Sequence, residues 1–423
     1  MKLRCRKSPL VGIVDIPGSK SHTIRAVAIA SLAEGISRIE SPLLSADTNA
    51  AVCAYRAFGA DIDTAEGLWT IRGTAGRLAV PEDSIDVGNS GTTLRVAIGS
   101  AALLPEGQVR LTGDKQIQRR PVGPLLQSLN DLGALARSEQ NNGLAPVLVG
   151  GPLRGGQTRI DAVTSQFLSS LLLNSPLAES DCDIEVTHLN EAPYVHITLD
   201  WLQRCGIRLK RDDLRHFFIP GGQSYSAIDV RVPGDFSSAT FFLAAGAIEG
   251  NDVELHGLDL KDPQGDKAVV NYLCEMGADI QISTDQIRVR PQSLAGAEID
   301  MNATPDALPM MAVLGCFAAG STKLVNVPQA RLKESDRISV MASELSKLGA
   351  RIEQLPDGLI IHESKLAGAE VNGHGDHRVV MALAIAGCVI EGQTTISTAE
   401  AIDVTFPTFT KCLKSLGGEV ENI

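Results

Sequence analysis

The chain runs to 423 residues, is 44% apolar and carries a formal net charge of -12, enough apolar material for two or three domains with sizeable cores. That acidity excludes a generalised nucleic-acid-binding or anionic-membrane surface, so any basic site has to be local. No apolar run reaches the roughly 18 residues of a membrane span, and the basic stretch Met1 to Ser8 leads into no apolar signal core. Eight cysteines are scattered with no CxxC pair, so reduced thiols, a cytoplasmic location and no structural zinc are expected.

In chain order, the first chemically loaded segment is Gly18-Ser19-Lys20-Ser21-His22-Thr23-Ile24-Arg25. It predicts a helix start with Ser21 and Arg25 one turn apart and Lys20 just outside, the layout of an anion cradle, although Ser-Lys-Ser is also a common capping sequence. Gly88-Asn89-Ser90-Gly91-Thr92-Thr93-Leu94-Arg95 is a small-residue turn opening a second helix, where the missing side chain of Gly91 allows close backbone approach to a ligand. Arg119-Arg120-Pro121 brings a basic pair to a further helix start, because proline suits the first helical position. Thr164-Ser165-Gln166 and Glu191-Ala192-Pro193-Tyr194 supply hydroxyls and an amide, suited to a polyhydroxylated ligand. Thr304-Pro305-Asp306 places a carboxylate before an apolar helix, where capping explains it adequately in isolation.

The densest segment is Arg331-Leu332-Lys333-Glu334-Ser335-Asp336-Arg337, with Ile338, Met341, Leu345 and Leu348 following at helical spacing. The run is expected on the first turn of that helix, with Lys333 and Arg337 on one face and the positive end of the helix dipole beneath an anion. Glu334 beside a bound anion is then a candidate acid, since neighbouring negative charge favours its protonated form. A solvated salt-bridge ladder explains the segment alone equally well. Asp376-His377-Arg378 enters an almost wholly apolar stretch, and Arg378 has little reason to begin a buried helix unless something anionic meets it.

These segments belong to a repeat. Tails of the form Phe58-Gly59-Ala60-Asp61-Ile62 recur with glycines at 59, 133, 206, 277, 349 and 417, spaced by 74, 73, 71, 72 and 68 residues, each closing an amphipathic helical pattern before an alternating strand. Polar leaders at 21, 90, 165, 237, 306 and 377 recur with steps of 69, 75, 72, 69 and 71, each read as a helix N-cap before a long apolar run. The result is six units of approximately β-α-β-α-β-β, grouped as two α/β domains of three, each with a helix bundle sheathed by sheets. The helix starts carry Lys20, Arg25, Arg120, Lys333, Arg337 and Arg378 with only Asp306 and Glu334 as prominent carboxylates. Converging, they would form a strongly positive cleft for a ligand set bearing phosphate and carboxylate. Walker, dinucleotide, HExxH and GxSxG fingerprints are absent.

Taken together with Pro17-Gly18-Ser19-Lys20-Ser21, Leu44-Ser45-Ala46-Asp47-Thr48 and Thr405-Phe406-Pro407, these motifs make the chain resemble the 5-enolpyruvylshikimate-3-phosphate synthase family from end to end. The resemblance implies a two-domain enolpyruvyl-transferase fold, each domain an inside-out α/β barrel of three βαβαββ units, with residues 1–18 plus 233–423 in one domain and 19–232 in the other. It implies transfer of enolpyruvyl from phosphoenolpyruvate to the 5-hydroxyl of shikimate 3-phosphate, with no metal or organic cofactor; a monomer is expected, and if the ligand sites are split between the domains an open cleft should close as charge is neutralised. Ser21, Arg25, Thr164, Ser165, Gln166, Tyr194, Asp306, Gln329 and Lys333 match shikimate-phosphate positions. Asn89, Gly91, Arg120, Gln166, Arg337, His377 and Arg378 match phosphoenolpyruvate positions, and Lys20 matches both. Asp306 matches the base for the 5-hydroxyl and Glu334 the acid for the enol carbon, with Lys20 the third catalytic candidate. Glyphosate, a phosphoenolpyruvate competitor in this family, is expected to bind beside Gly91.

Three positions depart from the family pattern. Glu191 stands where many relatives have a phosphate-binding serine, and is expected to point away. Gln329 replaces a common asparagine, and Val404 stands where some relatives carry a phosphoenolpyruvate-binding lysine. The UDP-N-acetylglucosamine enolpyruvyl transferases are the alternative, but their reactive cysteine is missing from Leu111 to Pro121. A non-catalytic anion-binding relative and an RNA 3′-phosphate cyclase relative are the other rivals; the first has no use for carboxylates beside anions, and the second needs a nucleotide site.

Overall fold

Six of the twelve α-helices are buried on nearly every side, some with polar residues among the apolar ones, and six are buried along one stripe. A computed structural model describes residues 1–423. The helices are α1 (Lys20–Leu32), α2 (Ala46–Ala57), α3 (Gly91–Ala101), α4 (Gly123–Asp131), α5 (Ser165–Asn174), α6 (Ala192–Arg204), α7 (Phe236–Gly246), α8 (Ala268–Glu275), α9 (Leu308–Gly315), α10 (Arg337–Lys347), α11 (His377–Val389) and α12 (Phe409–Ser415). Every residue of α7 and α9 is buried, and α11 leaves out only Val389. No helix is long and apolar enough to cross a membrane.

The chain divides into two compact units, Met1–Pro17 with Pro233–Ile423 and Gly18–Val232, each with its own hydrophobic core. Each unit holds three four-stranded sheets with the α/β layering expected of the fold class. In three sheets all four strands come from one continuous stretch of chain, as in 156–162, 182–189, 216–219 and 210–212. The other three borrow a strand. Asp229–Arg231 lies parallel to Ile36–Glu40, in register Val230 to Ile39. Val11–Asp15 lies parallel to Asp252–His256, and Lys2–Arg6 sits antiparallel between Gln393–Ser397 and Glu419–Asn422. The repeat is thus circularly closed within each unit, a feature that consecutive counting along the chain does not predict.

The repeat glycines end α2, α4, α6, α8, α10 and α12, each at positive φ between 70° and 100°. An added side chain there would be strained, which is why the six tails share that residue. Of the leaders, Thr164, Asp235 and Asp376 do cap helices, accepting from the backbone N–H of Gln166, Ser238 and Arg378.

Four local expectations are corrected. The charged run does not lie on a first helical turn: Pro328–Leu332 is a 3₁₀ turn, and α10 begins only at Arg337. Asp336 is the effective cap, accepting from Ser339 N at 3.0 Å. Arg331 is drawn away to the carbonyls of Pro356 and Leu355 at 2.9 and 2.7 Å. Lys333 and Glu334 therefore occupy a loop, and Lys333 shares no helical face with Arg337. Pro121 is not a first helical residue; α4 starts at Gly123 with Pro124 in its first turn. Lys20 lies inside α1, whose cap position is Ser19. Asp306 is not a cap either, because α9 starts at Leu308 with Ala307 before it.

Gly349, at φ +100°, tests the exit geometry. Gly349→Ala should cost about 1–2 kcal/mol, because left-handed backbone penalises a Cβ by that scale, and the loss should appear as a lower midpoint in urea unfolding followed by circular dichroism.

Candidate active site

In the unit formed by Gly18–Val232, the buried helices surface only at their starts. The non-buried residues of α1 are Lys20 and Ser21, that of α3 is Thr92, and that of α5 is Gln166. Polar side chains at these starts contact one another. Lys20 Nζ is 3.1 Å from Asp47 Oδ2, on the first turn of α2. The Asp47 carbonyl accepts from Ser90 Oγ and Thr93 Oγ1 at 3.2 and 3.3 Å, joining α2 to α3. Gln166 Nε2 donates to Thr92 Oγ1 at 3.3 Å, joining α5 to α3.

Gly91 is small because two guanidinium groups crowd it. A Cβ there would lie 2.8 Å from Arg120 Nη1 and 3.0 Å from Arg95 Nη1, with Gln166 Oε1 at 3.6 Å. Arg95 donates to the Gly91 and Pro121 carbonyls at 3.2 and 3.0 Å and so fastens the segment carrying Arg120 against the start of α3. Asn89 is held to one side by Asp114 Oδ2 and Gln116 Oε1, both at 2.7 Å.

Arg25 is 2% exposed and meets no carboxylate. Its guanidinium donates to Thr198 Oγ1 (2.9 Å), the Ser21 carbonyl (2.9 Å), Ser169 Oγ (3.3 Å) and the Tyr194 carbonyl (3.0 Å). Burial pulls its proton affinity down to about 10. A guanidinium so placed is stabilised by any anion that reaches it.

In the unit formed by Met1–Pro17 and Pro233–Ile423, Arg337 organises the site. Its side chain is 1% exposed and contacts three carboxylates: Asp306 through Nη1 at 2.7 Å, Glu334 through Nη2 at 2.7 Å and Asp376 through Nε at 2.9 Å. Burial opposes its charge, but Asp376, Glu334 and Asp306 together outweigh burial and hold the guanidinium well above its ordinary range. Arg378 donates to Asp306 Oδ2 at 3.3 Å and to the Ser237 carbonyl at 2.8 Å, and its guanidinium lies 5.8 Å from the Phe241 ring centroid. The anion expected to meet Arg378 is therefore supplied by the chain itself. Asp376 is wholly buried: besides Arg337 it accepts from Ser335 Oγ and Arg378 N. Gln329 is buried and donates to the Asn302 carbonyl at 3.0 Å, Lys333 is half-buried on its loop, and His377 is the buried first residue of α11.

Three residues carry this arrangement that charge and spacing did not single out. Asp47 and Asp376 were visible only within longer motifs, and each turns out to neutralise a basic residue. Arg95 could have been found: it is the one ionised side chain inside the apolar α3, four residues after Gly91, the spacing that links Ser21 to Arg25.

Comparison with known proteins settles the family. Residues 5–413 match the family described as EPSP synthase (3-phosphoshikimate 1-carboxyvinyltransferase). The chain is 55% identical over 420 residues to the 3-phosphoshikimate 1-carboxyvinyltransferase of Acetivibrio thermocellus, covering 99% of each chain. It is 53% identical over 423 residues to that of Ruminiclostridium cellulolyticum, covering 100% of each. The chain belongs to the EPSP synthase family. A solved EPSP synthase from Acinetobacter baumannii superimposes with a TM-score of 0.83 at 28% identity over the full length of both chains.

Against this EPSP synthase frame, one expectation about the site is overturned. Glu191 does not point away: it is 2% exposed, and its Oε2 accepts from Thr164 Oγ1, Ser165 Oγ and Ser165 N at 3.1, 3.0 and 3.3 Å. The unpaired amides at the start of α5 attract a carboxylate for the same reason they attract a phosphate. Val404 ends the 3₁₀ turn Ala399–Val404 half-buried and contributes no charge.

Because Asp376 accepts two hydrogen bonds from Arg337 and one from the α11 amide, Asp376→Asn should destabilise its unit by about 1.5–3 kcal/mol, the worth of hydrogen bonds to charged groups. Chemical denaturation of the variant beside the parent protein measures the shift.

Proposed function

We propose that this enzyme transfers the enolpyruvyl group of phosphoenolpyruvate to the 5-hydroxyl of shikimate 3-phosphate, releasing phosphate. One observation carries the catalytic reading: a single buried guanidinium, Arg337, holds Asp306 and Glu334 on two different nitrogens, each at 2.7 Å. Two carboxylates fixed by one cation, yet reaching it from separate segments, can take opposite proton roles. The family description and the relatives named above favour the shikimate reaction over the UDP-N-acetylglucosamine alternative.

In this reading Glu334 delivers a proton to the methylene carbon of phosphoenolpyruvate, leaving a cationic centre at the carbon that bears phosphate. Asp306 accepts the proton of the 5-hydroxyl as that oxygen attacks, and a tetrahedral intermediate forms. Return of a methyl proton to the Glu334 carboxylate and breakage of the carbon–oxygen bond to phosphate then give the enol ether product. Lys20 assists the proton transfers and counters phosphate charge. Cations placed in advance stabilise charge as it develops, without reorganising solvent.

Binding is divided by chemistry. Ser21, Arg25, Thr164, Ser165, Gln166, Tyr194, Gln329 and Lys333 take shikimate 3-phosphate, supported by the isolation of Arg25 from every carboxylate. Four hydrogen-bond contacts use up most of its five donors and leave one Nη1 N–H for a ligand. Asn89, Gly91, Arg120, Gln166, Arg337, His377 and Arg378 take phosphoenolpyruvate, supported by the crowding of Arg120 against Gly91. We place the enzyme in the cytoplasm as a monomer, consistent with its free thiols; sedimentation velocity tests the monomer.

A coupled phosphate-release assay with shikimate 3-phosphate and phosphoenolpyruvate tests the function directly, and no release from this pair would sink it. Glu334→Gln and Asp306→Asn should each lower kcat by about 10²–10⁴, the usual worth of a positioned acid or base. Gly91→Ala should raise the KM for phosphoenolpyruvate more than that for shikimate 3-phosphate, because the new methyl displaces Arg120 and Arg95. We further propose glyphosate as a competitor of phosphoenolpyruvate in this space, an idea that unchanged turnover at millimolar glyphosate would refute.

A further inference from the structure

Glu191 is an acidic residue held where an anionic ligand would bind. Its backbone is left-handed, at φ 60° and ψ 40°, a conformation that a glutamate adopts only when its surroundings impose it. Its side chain is tied down as well: Oε2 collects the Thr164 and Ser165 hydroxyls and the Ser165 amide. Each hydroxyl has a single proton, and both protons point at Glu191. Thr164 and Ser165 can thus accept from a ligand but cannot donate to one while Glu191 stays. The same residue sets the next helix in place, because its carbonyl accepts from Tyr194 N at 3.0 Å and the Tyr194 carbonyl accepts from Arg25.

We propose that Glu191 is a stand-in anion that sets the affinity of the α5 start for a phosphorylated ligand. The proposal rests on the reading that Thr164 and Ser165 face shikimate 3-phosphate. A phosphate arriving there meets a like charge and two hydroxyls already committed, so Glu191 must swing off before the phosphate is fully bound. Glu191 thereby weakens binding of the acceptor while keeping the empty site satisfied, and it is a specificity residue of the acceptor half-site.

Two variants separate charge from shape. Glu191→Gln keeps an acceptor oxygen for the hydroxyls and removes the charge; Glu191→Gly removes the side chain and suits the left-handed backbone. Both should lower the KM for shikimate 3-phosphate about tenfold or more, the scale of one close like-charge interaction, while the KM for phosphoenolpyruvate changes less than about twofold. In parallel, calorimetric titration with inorganic phosphate should show tighter binding in both variants than in the parent chain. An acceptor KM that is unchanged or raised in both variants, with thermal unfolding confirming that they fold, overturns the proposal. If the parent chain fails to turn over the two substrates, the functional reading falls instead. The phosphate titration then decides on Glu191: tighter binding in both variants upholds the stand-in role, and unchanged or weaker binding removes it.

Discussion

The requirement that a buried guanidinium be neutralised governs the Arg337 site. Arg337 is 1% exposed, and a lone ion at that depth is too costly to keep without partners. Its partners come from three places: Asp306 before α9, Glu334 on the loop before α10 and Asp376 at the cap of α11. Each of these segments is irregular; Asp306 and Asp376 precede the buried helices α9 and α11, and Glu334 precedes the one-sided α10. Satisfying one cation therefore fixes three loops at once. A site assembled in this way is held by electrostatics at its centre and by apolar helix packing at its back.

The same rule explains why the basic residues are not the bare positive patch that counting charges suggests. Lys20 is met by Asp47 and Arg378 by Asp306, so much of the cationic charge is already countered by the chain. Arg25 differs from these, buried among hydroxyls and carbonyls alone. The contrast gives the two kinds of arginine different work. Arg337 is pushed above its ordinary range and serves as a fixed counter-charge, whereas Arg25 is drawn down by burial and gains most from an anion that arrives from outside.

How much of this was legible in the sequence follows from the range of the interaction involved. The six positive-φ glycines are a local backbone demand, so they stand out as a repeat, and with them the fold class. The polar leaders are local too, and three of them cap helices through their own side chains. What spacing could not give is closure at long range: Lys2–Arg6, Val11–Asp15 and Asp229–Arg231 complete sheets whose other strands lie far along the chain. The charged run at 331–337 was misplaced on a helix because Asp336 competes as a cap and Arg331 is drawn to Leu355 and Pro356, contacts about two dozen residues away. Glu191 was turned the wrong way for a related reason: its carboxylate answers to Thr164 and Ser165, 27 and 26 residues earlier.

The neutralised state of Arg337 also bears on how substrate binding and proton transfer are linked under the proposed function. An incoming carboxylate or phosphate meets one Nη1 N–H of Arg337 that no carboxylate holds, and to take a second it must displace Asp306, Glu334 or Asp376. Asp376 is the least able to yield, since it is wholly buried and also tied to Ser335 and the α11 amide. Asp306 keeps a second cation in Arg378. Glu334 lies on the loop before α10 and caps no helix, so exchanging it for a ligand anion leaves the cap of α11 in place. A carboxylate that loses a cation and gains an anionic neighbour binds a proton more tightly. Substrate anions would thus create the protonated acid that the first chemical step needs, and the same exchange would limit affinity, because part of the binding energy is used to pull Glu334 from its partner.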